Sequence, residues 1–454
     1  MTAIILFCLL SAFLVLGKIL RANITLLQKL YLPSSVIGGL AGLILFQCFP
    51  GHLPADIFKY MTKLPGFLIN IVFASLFLGM ITPSAKTIIK TAFPQLCFSQ
   101  LLAWGQYVIG LGLAGFVLAP LFGIHPAFGN LLEIGFEGGH GTVGGMTSTF
   151  ETNNWSEGIA LGYTIATVGM ILAIIVGMIL VNWANRKGHV SQVVPFDKQD
   201  KIRRKGLYRQ EEMPHAGRQT VLCDSLDSLA WHIALIGLSV AMGYIALVFF
   251  QQGEVKLFPE ATKRIFAGFP LFPFCMIGGL LLQRFMQKIK LDHLVDHGQM
   301  QRLAGAALDF LVVSAIATIR LEVVLENWLA LLILILCGLL QAVLMLLFLA
   351  PRLFKNAWFE RAIADFGQGL GVTATGLLLL RTVDPESKTE AASAFGYKQL
   401  FHEPFMGGGI CTALALTLVF TIGWLKVFLI SLFFTVIWAV VAFFIIRNNR
   451  KEIN

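Results

Sequence analysis

The chain of 454 residues is 57% hydrophobic and only 13% charged, about half the charged share of a soluble protein. Apolar runs long enough to cross a bilayer, about 20 residues each, recur along it, so it reads as a polytopic membrane protein. The net charge of +9 lies largely in one loop and at the C-terminus, where it reports orientation and not a nucleic-acid footprint.

In chain order the apolar spans are expected near residues 3–17, 32–49, 65–81, 96–122 and 159–183. A second set follows near 229–250, 265–285, 303–319, 328–349 and 400–423, with an extra helix at 427–446. Residues 1–20 lack a basic leader and a small-residue cleavage site, which makes them a retained first helix. Residues 184–227 are the only long polar stretch. Nine Lys/Arg against four acids lie between Arg186 and Arg218, with Pro195 and Pro214 interrupting any long helix. The seven cysteines (8, 48, 97, 223, 275, 337, 411) show no CxxC spacing and read as buried small hydrophobes, not a disulfide or zinc framework.

Positive charge collects on the cytoplasmic side. Placing 184–227 inside puts Lys18–Lys29, Lys86/Lys90, Arg284–Arg302 and Arg352/Lys355 inside as well, provided two glycine-rich segments enter and return without crossing. The N-terminus is then outside and the tail inside, in the inner (plasma) membrane.

Those two segments organise the chain. Glu137-Gly-Gly-His-Gly-Thr142 and Asp365-Phe-Gly-Gln-Gly-Leu370 begin 228 positions apart. Each Gly costs a helix roughly 1 kcal/mol against Ala, and broken backbone at membrane depth is tolerated where it is buried or lines a wet cavity. A matched pair of breaks points to a transporter binding site. A second internal match, Pro33-x-x-x-Ile37-Gly38-Gly39-Leu40 with Pro273-x-x-x-Ile277-Gly278-Gly279-Leu280, makes this an all-α polytopic fold of two inverted-topology repeats. The expected organisation is a first membrane repeat over 1–183 with a re-entrant loop near 133–150, and a basic cytoplasmic linker at 184–227. A second repeat over 228–423 carries a re-entrant loop near 361–380; an appended helix at 424–446 and a cytoplasmic tail at 447–454 complete the chain.

The chemistry of such breaks is set by exposed backbone. Helix N-termini suit a carboxylate and unwound carbonyls suit Na⁺. The candidate substrate- and ion-binding residues are Glu137, Gly138, Gly139, His140, Gly141 and Thr142 in the first run. In the second they are Asp365, Gly367, Gln368, Gly369, Gly371, Thr373 and Thr375. Candidate sodium ligands among them are Glu137, Thr142, Asp365 and Thr373. Gly144, Gly145 and Thr147 extend the first run. Glu133, His402 and Glu403 are further ionisable groups in apolar sequence, where each charge is costly; the alternative for these groups and for Glu137, His140 and Asp365 is that they face water at the interface or close internal salt bridges with Arg361 or Lys398. Gly139-His-Gly141-Thr-Val-Gly144 fits GxGxxG without the strand-turn-helix context of a dinucleotide site, and His402-Glu403 lacks the second His of HExxH. No cofactor and no enzymatic activity are expected.

At Gly138-Gly-His-Gly-Thr142 and Gly367-Gln-Gly-Leu-Gly-Val-Thr373, and again at Pro33…Gly38-Gly39, the sequence resembles the sodium/glutamate symporter family. The resemblance implies Na⁺-driven uptake of glutamate by a homodimer in the lipid bilayer, whose transport part moves against a scaffold. It gives residues 138–142 and 367–373 the binding-loop roles. Glu137, Asp365, His402 and Glu403 depart from the family pattern, which is uncharged there. They favour as an alternative a proton-coupled carrier of another small solute through Glu137 or Asp365; a channel is a further alternative.

Overall fold

The computed structural model describes residues 2–48, 55–80, 85–190, 201–213, 215–259, 264–384 and 388–451. Pro195, Pro214 and residues 452–454 of the expected tail lie outside the described residues. Among the described residues every regular element is helical. The main helices are α1 (Thr2–Asn23), α2 (Ser34–Cys48), α3 (Ala55–Ser75), α4 (Ala85–Leu113), α5 (Leu131–Phe136), α6 (Gly139–Gly145) and α7 (Glu157–Arg186). They continue with α8 (Ser228–Leu257), α9 (Phe272–Lys288), α10 (His297–Ala317), α11 (Trp328–Leu344), α12 (Trp358–Val383), α13 (Ala391–His402), α14 (Ile410–Ile422) and α15 (Trp424–Lys451). Nine helical stretches among the described residues are long and apolar enough to cross a membrane, and α2 and α14 are shorter apolar helices. α3 and α4 begin at 55 and 85 rather than near 65 and 96, with Pro65 and Pro94 retained inside them. Prolines of this kind are tolerated in membrane helices because neighbours satisfy the freed carbonyls. Among the described cysteines, all free, only Cys97 and Cys275 are buried; Cys8, Cys48 and Cys223 are exposed. Cys8 and Cys48 lie on the apolar helices α1 and α2, whereas Cys223 lies in a turn ahead of α8.

The helices fall into two compact units, each drawn from both halves of the chain. The first comprises residues 1–82, 144–155 and 200–319. In it α2 packs on α1 and α10, α9 packs on α8 and α3, and α3 packs on α10. The paired glycines of the repeated motif make these approaches. A Cβ on Gly38 would collide with the Phe13 carbonyl of α1, and one on Gly39 would come within 2.7 Å of Ile316 in α10. Likewise Gly278 meets the Ser239 carbonyl of α8 and Gly279 the Ala74 carbonyl of α3. Small residues let membrane helices close to backbone contact. Exchanging α1, α2 and α3 for α8, α9 and α10 reproduces the same set of contacts.

The second unit comprises residues 83–143, 156–199 and 320–454. α4 and α11 each pass into a π-helical turn, Ala114–Leu118 and Met345–Leu349, followed by Ala119-Pro120 and Ala350-Pro351. Pro120 and Pro351 lack the N–H that would close an α-turn onto Phe116 and Leu347, so the helix widens there. α15 lies along α4: Trp104 stacks on Phe434 with ring centroids 4.6 Å apart, and Trp424 meets Phe116 edge-on at 4.9 Å. α15 continues to Lys451, so Arg447–Lys451 is helical.

α12 is not a straight helix. Gly371 (φ −151°, ψ 34°) and Val372 (φ 64°, ψ 169°) interrupt it. A Cβ on Gly367 would lie 2.7 Å from Cα of Gly376, whereas nine residues of straight helix span about 13.5 Å. The chain therefore turns back on itself within the second glycine-rich run. The expected continuous span at 400–423 is also broken: α13 stops at His402 and α14 starts at Ile410, with Gly407 (φ 66°) and Gly408 (φ 107°) between them. Three successive glycines make that turn accessible at no steric cost.

Candidate functional site

The site is assembled within the second unit from faces of four helices. Along α5 and its caps, Asn130 (N-cap), Glu133 and Glu137 (C-cap) recur at i, i+3 and i+7, and on α12 Arg361, Asp365 and Gln368 recur at i, i+4 and i+7, the spacing that puts residues on one side of a helix. α13 adds Lys398, Gln399, His402 and Glu403. α4 adds Gln95, Gln100, Trp104, Gln106 and Tyr107. The two glycine-rich breaks meet here: Gly139, at φ 67°, faces Val372, and a Cβ on it would collide with Cγ1 of that side chain.

One chain of hydrogen bonds and ion pairs links these faces. Arg361 pairs with Glu390 at 3.1 Å and donates through Nε to Gln95 Oε1 at 2.9 Å. Gln95 Nε2 donates to Asp365 Oδ2 at 2.6 Å. The Lys398 ammonium lies 3.0 Å from Asp365 Oδ1, an ion pair without the angle of a hydrogen bond, and donates to Gln368 Oε1 at 2.6 Å. Gln399 Nε2 donates to the same Gln368 oxygen at 2.8 Å and to Thr373 Oγ1 at 3.2 Å, and Thr373 donates to Glu403 at 2.8 Å.

The donors fix which way each amide and ring points. Lysine only donates, so Gln368 turns its oxygen to Lys398 and its Nε2 toward Glu137 Oε1, at 3.3 Å. Trp104 Nε1 only donates; it reaches Gln100 Oε1 at 3.0 Å, which leaves Gln100 Nε2 to donate to His402 Nδ1 at 3.2 Å. With Nδ1 accepting, the His402 proton sits on Nε2, which donates to Glu137 Oε1. His402 is thereby held as a neutral donor, not an imidazolium. Glu137 Oε2 is buried with no hydrogen-bond partner. Glu137 thus receives two neutral donors on one oxygen, none on the other, and no cation, whereas Asp365 has Lys398.

Glu133 is fully served. Its Oε1 accepts from Gly407 N and Thr412 Oγ1, each at 2.9 Å, and its Oε2 from Tyr107 Oη. It fastens the third break, at 407–409, to α5. His140 Nε2 lies 2.9 Å from Thr167 Oγ1, whose own proton goes to the Tyr163 carbonyl at 2.8 Å. Thr167 must therefore accept, which puts the His140 proton on Nε2.

The residues expected from sequence are distributed as follows. Glu137, Asp365, Gln368 and Thr373 join one network, together with His402 and Glu403. Thr142 is buried and donates to the Gly138 carbonyl at 2.9 Å. Gly369 gives its carbonyl to Gln106 Nε2 at 2.6 Å. Gly371 and Thr375 sit at the turn of α12, where a Cβ on Gly371 would be 3.0 Å from Thr375 Oγ1. Gly367 faces Gly376 across the fold-back. Gly138 and Gly141 stay with His140 in the second unit; Gly144, Gly145 and Thr147 fall in the first. The four candidate sodium ligands are each engaged differently: Glu137 by His402 and Gln368, Asp365 by Lys398, Thr373 with Glu403, Thr142 with Gly138.

The register of the two breaks also changes. The π turns and the Ala-Pro steps that follow them lie 231 positions apart. In that register Glu137-Gly138 corresponds to Gln368-Gly369, Thr142 to Thr373 and Gly145 to Gly376, and Glu137 and Gln368 are bonded to one another. Asp365 is a turn earlier and stands opposite no acid of the first run. Lys398, Gln399, Gln95, Gln100 and Tyr107 were not among the expected site residues. Their signal is present as polar side chains at helical spacing in apolar sequence, 95, 99, 106 and 100, 104, 107 on α4, and 398, 399, 402, 403 on α13.

Residues 1–384 match the sodium/glutamate symporter family, a span that contains both glycine-rich runs and the paired Gly-Gly motif. No curated protein matches the chain. Lys398, Gln399, His402 and Glu403 come after the matched span, so α13 brings side chains to the site from outside it. Matched over most of its length, on the same segments that build the convergent breaks, the chain belongs to the sodium/glutamate symporter family.

Proposed function

We propose that this protein couples the entry of Na⁺ to symport of glutamate or a closely related small organic anion or amino acid. Membership of a symporter family makes it a multi-pass membrane transporter; the observation that carries the coupling reading is Glu137. A buried carboxylate is tolerated when it is paired, and this one has only neutral donors and an empty oxygen. A cation completes it. Bound Na⁺ offsets the charge that would otherwise repel a dicarboxylate arriving at the neighbouring breaks, which makes ion and substrate mutually dependent.

The turn-back of α12 at Gly371–Val372 and the meeting of Gly139 with Val372 support a pair of re-entrant segments around one site. The 231-residue spacing and the exchangeable helix triplets of the first unit support two inverted repeats. Homodimerisation, a cytoplasmic central loop and C-terminus, and an external N-terminus in the inner membrane belong to the same reading. Cysteine accessibility from each side tests the orientation, and mass measurement in detergent tests the dimer.

A second reading is favoured by the same oxygen: a proton on Glu137 Oε2 neutralises the group as well as Na⁺ does. Purified protein in proteoliposomes separates the two. An inward Na⁺ gradient at equal pH drives concentrative glutamate uptake on the first reading. A pH gradient without Na⁺ drives it on the second.

A further inference from the structure

We propose that the Lys398 ammonium is a resident cation, seated in a monovalent-cation site formed by Asp365 Oδ1 and Gln368 Oε1 beside the turn of α12. The inference deepens the transport reading and depends on it only for its consequence, namely that Asp365 needs no ion from solution.

The ammonium meets three electron-rich acceptors. Asp365 Oδ1 lies at 3.0 Å, Gln368 Oε1 at 2.6 Å, and the face of the Phe395 ring at 4.6 Å from Nζ. Ring faces attract cations through their quadrupole. Lys398 is fully buried and Asp365 nearly so, so solvent does not share the charge. The Gln368 oxygen is committed to this site from both sides, by Lys398 and by Gln399. Carboxylate and amide oxygens are also the ligands a hard monovalent cation takes. Lys398 lies on α13, after the family-matched span, so α13 carries a fixed positive charge into a site whose other walls belong to that span. The remaining positive charge nearby, Arg361, is committed to Glu390 and Gln95.

A tethered cation and a free one act differently. Asp365 remains neutralised in every state in which α13 stays beside α12, and the external cation requirement falls on Glu137, whose second oxygen is buried without a hydrogen-bond partner. Shortening Lys398 to alanine leaves Asp365 with an empty place for a small cation, and also removing the Asp365 charge abolishes the need for one.

The test uses full-length protein in detergent, without substrate. Melting temperature is followed as NaCl replaces choline chloride at constant total salt, for wild type, Lys398→Ala and Lys398→Ala/Asp365→Asn. The expected result is that Lys398→Ala melts below wild type in choline and regains a few degrees with Na⁺, beyond any response of wild type. The double variant shows no such extra response. Folding of Lys398→Ala in Na⁺ but not in choline supports the proposal equally. A Lys398→Ala protein with no more Na⁺ response than wild type overturns it, as does an equal response in the double variant. Failure of both variants to fold in either salt also overturns it, because Lys398 is then a packing element. Glutamate uptake by wild type is scored separately; its absence rejects the proposed substrate and leaves the cation response of Lys398→Ala intact as a result.

Discussion

Gly139 and Val372 touch across the two breaks. The first residue has φ 67° and the second φ 64°, and a Cβ on Gly139 would overlap Cγ1 of Val372. A β-branched residue at positive φ is an outlier held by its surroundings, and it sits where the two glycine-rich runs meet. The site therefore depends on a contact that only glycine permits on one side and that a strained valine makes on the other.

Gly139→Ala combines a steric overlap with a backbone conformation that disfavours alanine by about 1 kcal/mol. The expected outcome is uptake reduced at least about tenfold with folded protein still recovered. Uptake equal to wild type contradicts the contact. Val372→Gly relieves the strained backbone, so its melting temperature should hold or rise while uptake falls, read by thermal melting alongside flux.

The acids are not equivalent. Asp365→Asn strands the buried Lys398 ammonium, and breaking a buried pair by removing one partner costs about 3–5 kcal/mol. Glu137→Gln removes a charge that has no cationic partner. Asp365→Asn should lower melting temperature strongly. Glu137→Gln should leave it near wild type and weaken or abolish Na⁺ dependence of uptake. Equal effects of the two on melting would show that the charges are shared.

His402 is predicted to be a neutral ring protonated on Nε2, because Trp104 fixes Gln100 and Gln100 donates to Nδ1. Nitrogen-15 chemical shifts of labelled His402 check this directly. Trp104→Phe removes the donor that sets the Gln100 amide, and the tautomer should then become mixed. A doubly protonated ring in the wild type contradicts the assignment.

Much of this architecture is legible in the sequence. Composition and span length identify the membrane fold, and the glycine-rich runs identify where α12 turns and where Gly139 meets it; the paired Gly-Gly motifs, read in the sequence as a repeat, prove to be the points where helices cross. What sequence spacing concealed is pairing in three dimensions. The acid-first alignment of the two runs set Glu137 beside Asp365, whereas the flanking π turns and prolines set it beside Gln368. The expected span at 400–423 takes in only the last turn of α13, because Phe401, Phe405 and Met406 read as the apolar start of one helix; the glycines at 407–409, between α13 and α14, resemble ordinary small packing residues. Lys398 was visible only as a potential salt-bridge partner, and its seat between Asp365 and Gln368 follows from the turn of α12, which no local pattern encodes.

Glu133→Gln tests the third break. Glu133 accepts from Gly407, Thr412 and Tyr107, and hydrogen bonds to a charged group are worth about 1.5–3 kcal/mol. The variant keeps part of this set, so a moderate loss of melting temperature is expected, together with faster amide exchange at 407–409. Unchanged exchange there would show that the turn holds itself.

The most direct test of the account is radiolabelled glutamate uptake into proteoliposomes, with an inward Na⁺ gradient against a matched K⁺ gradient, for wild type and Glu137→Gln side by side. Concentrative uptake by wild type with Na⁺ alone, and its loss in Glu137→Gln, is the expected result. Uptake by wild type that ignores Na⁺, or Na⁺-driven uptake that survives in Glu137→Gln unchanged, would contradict the assignment of Glu137 as the group that the coupling ion completes.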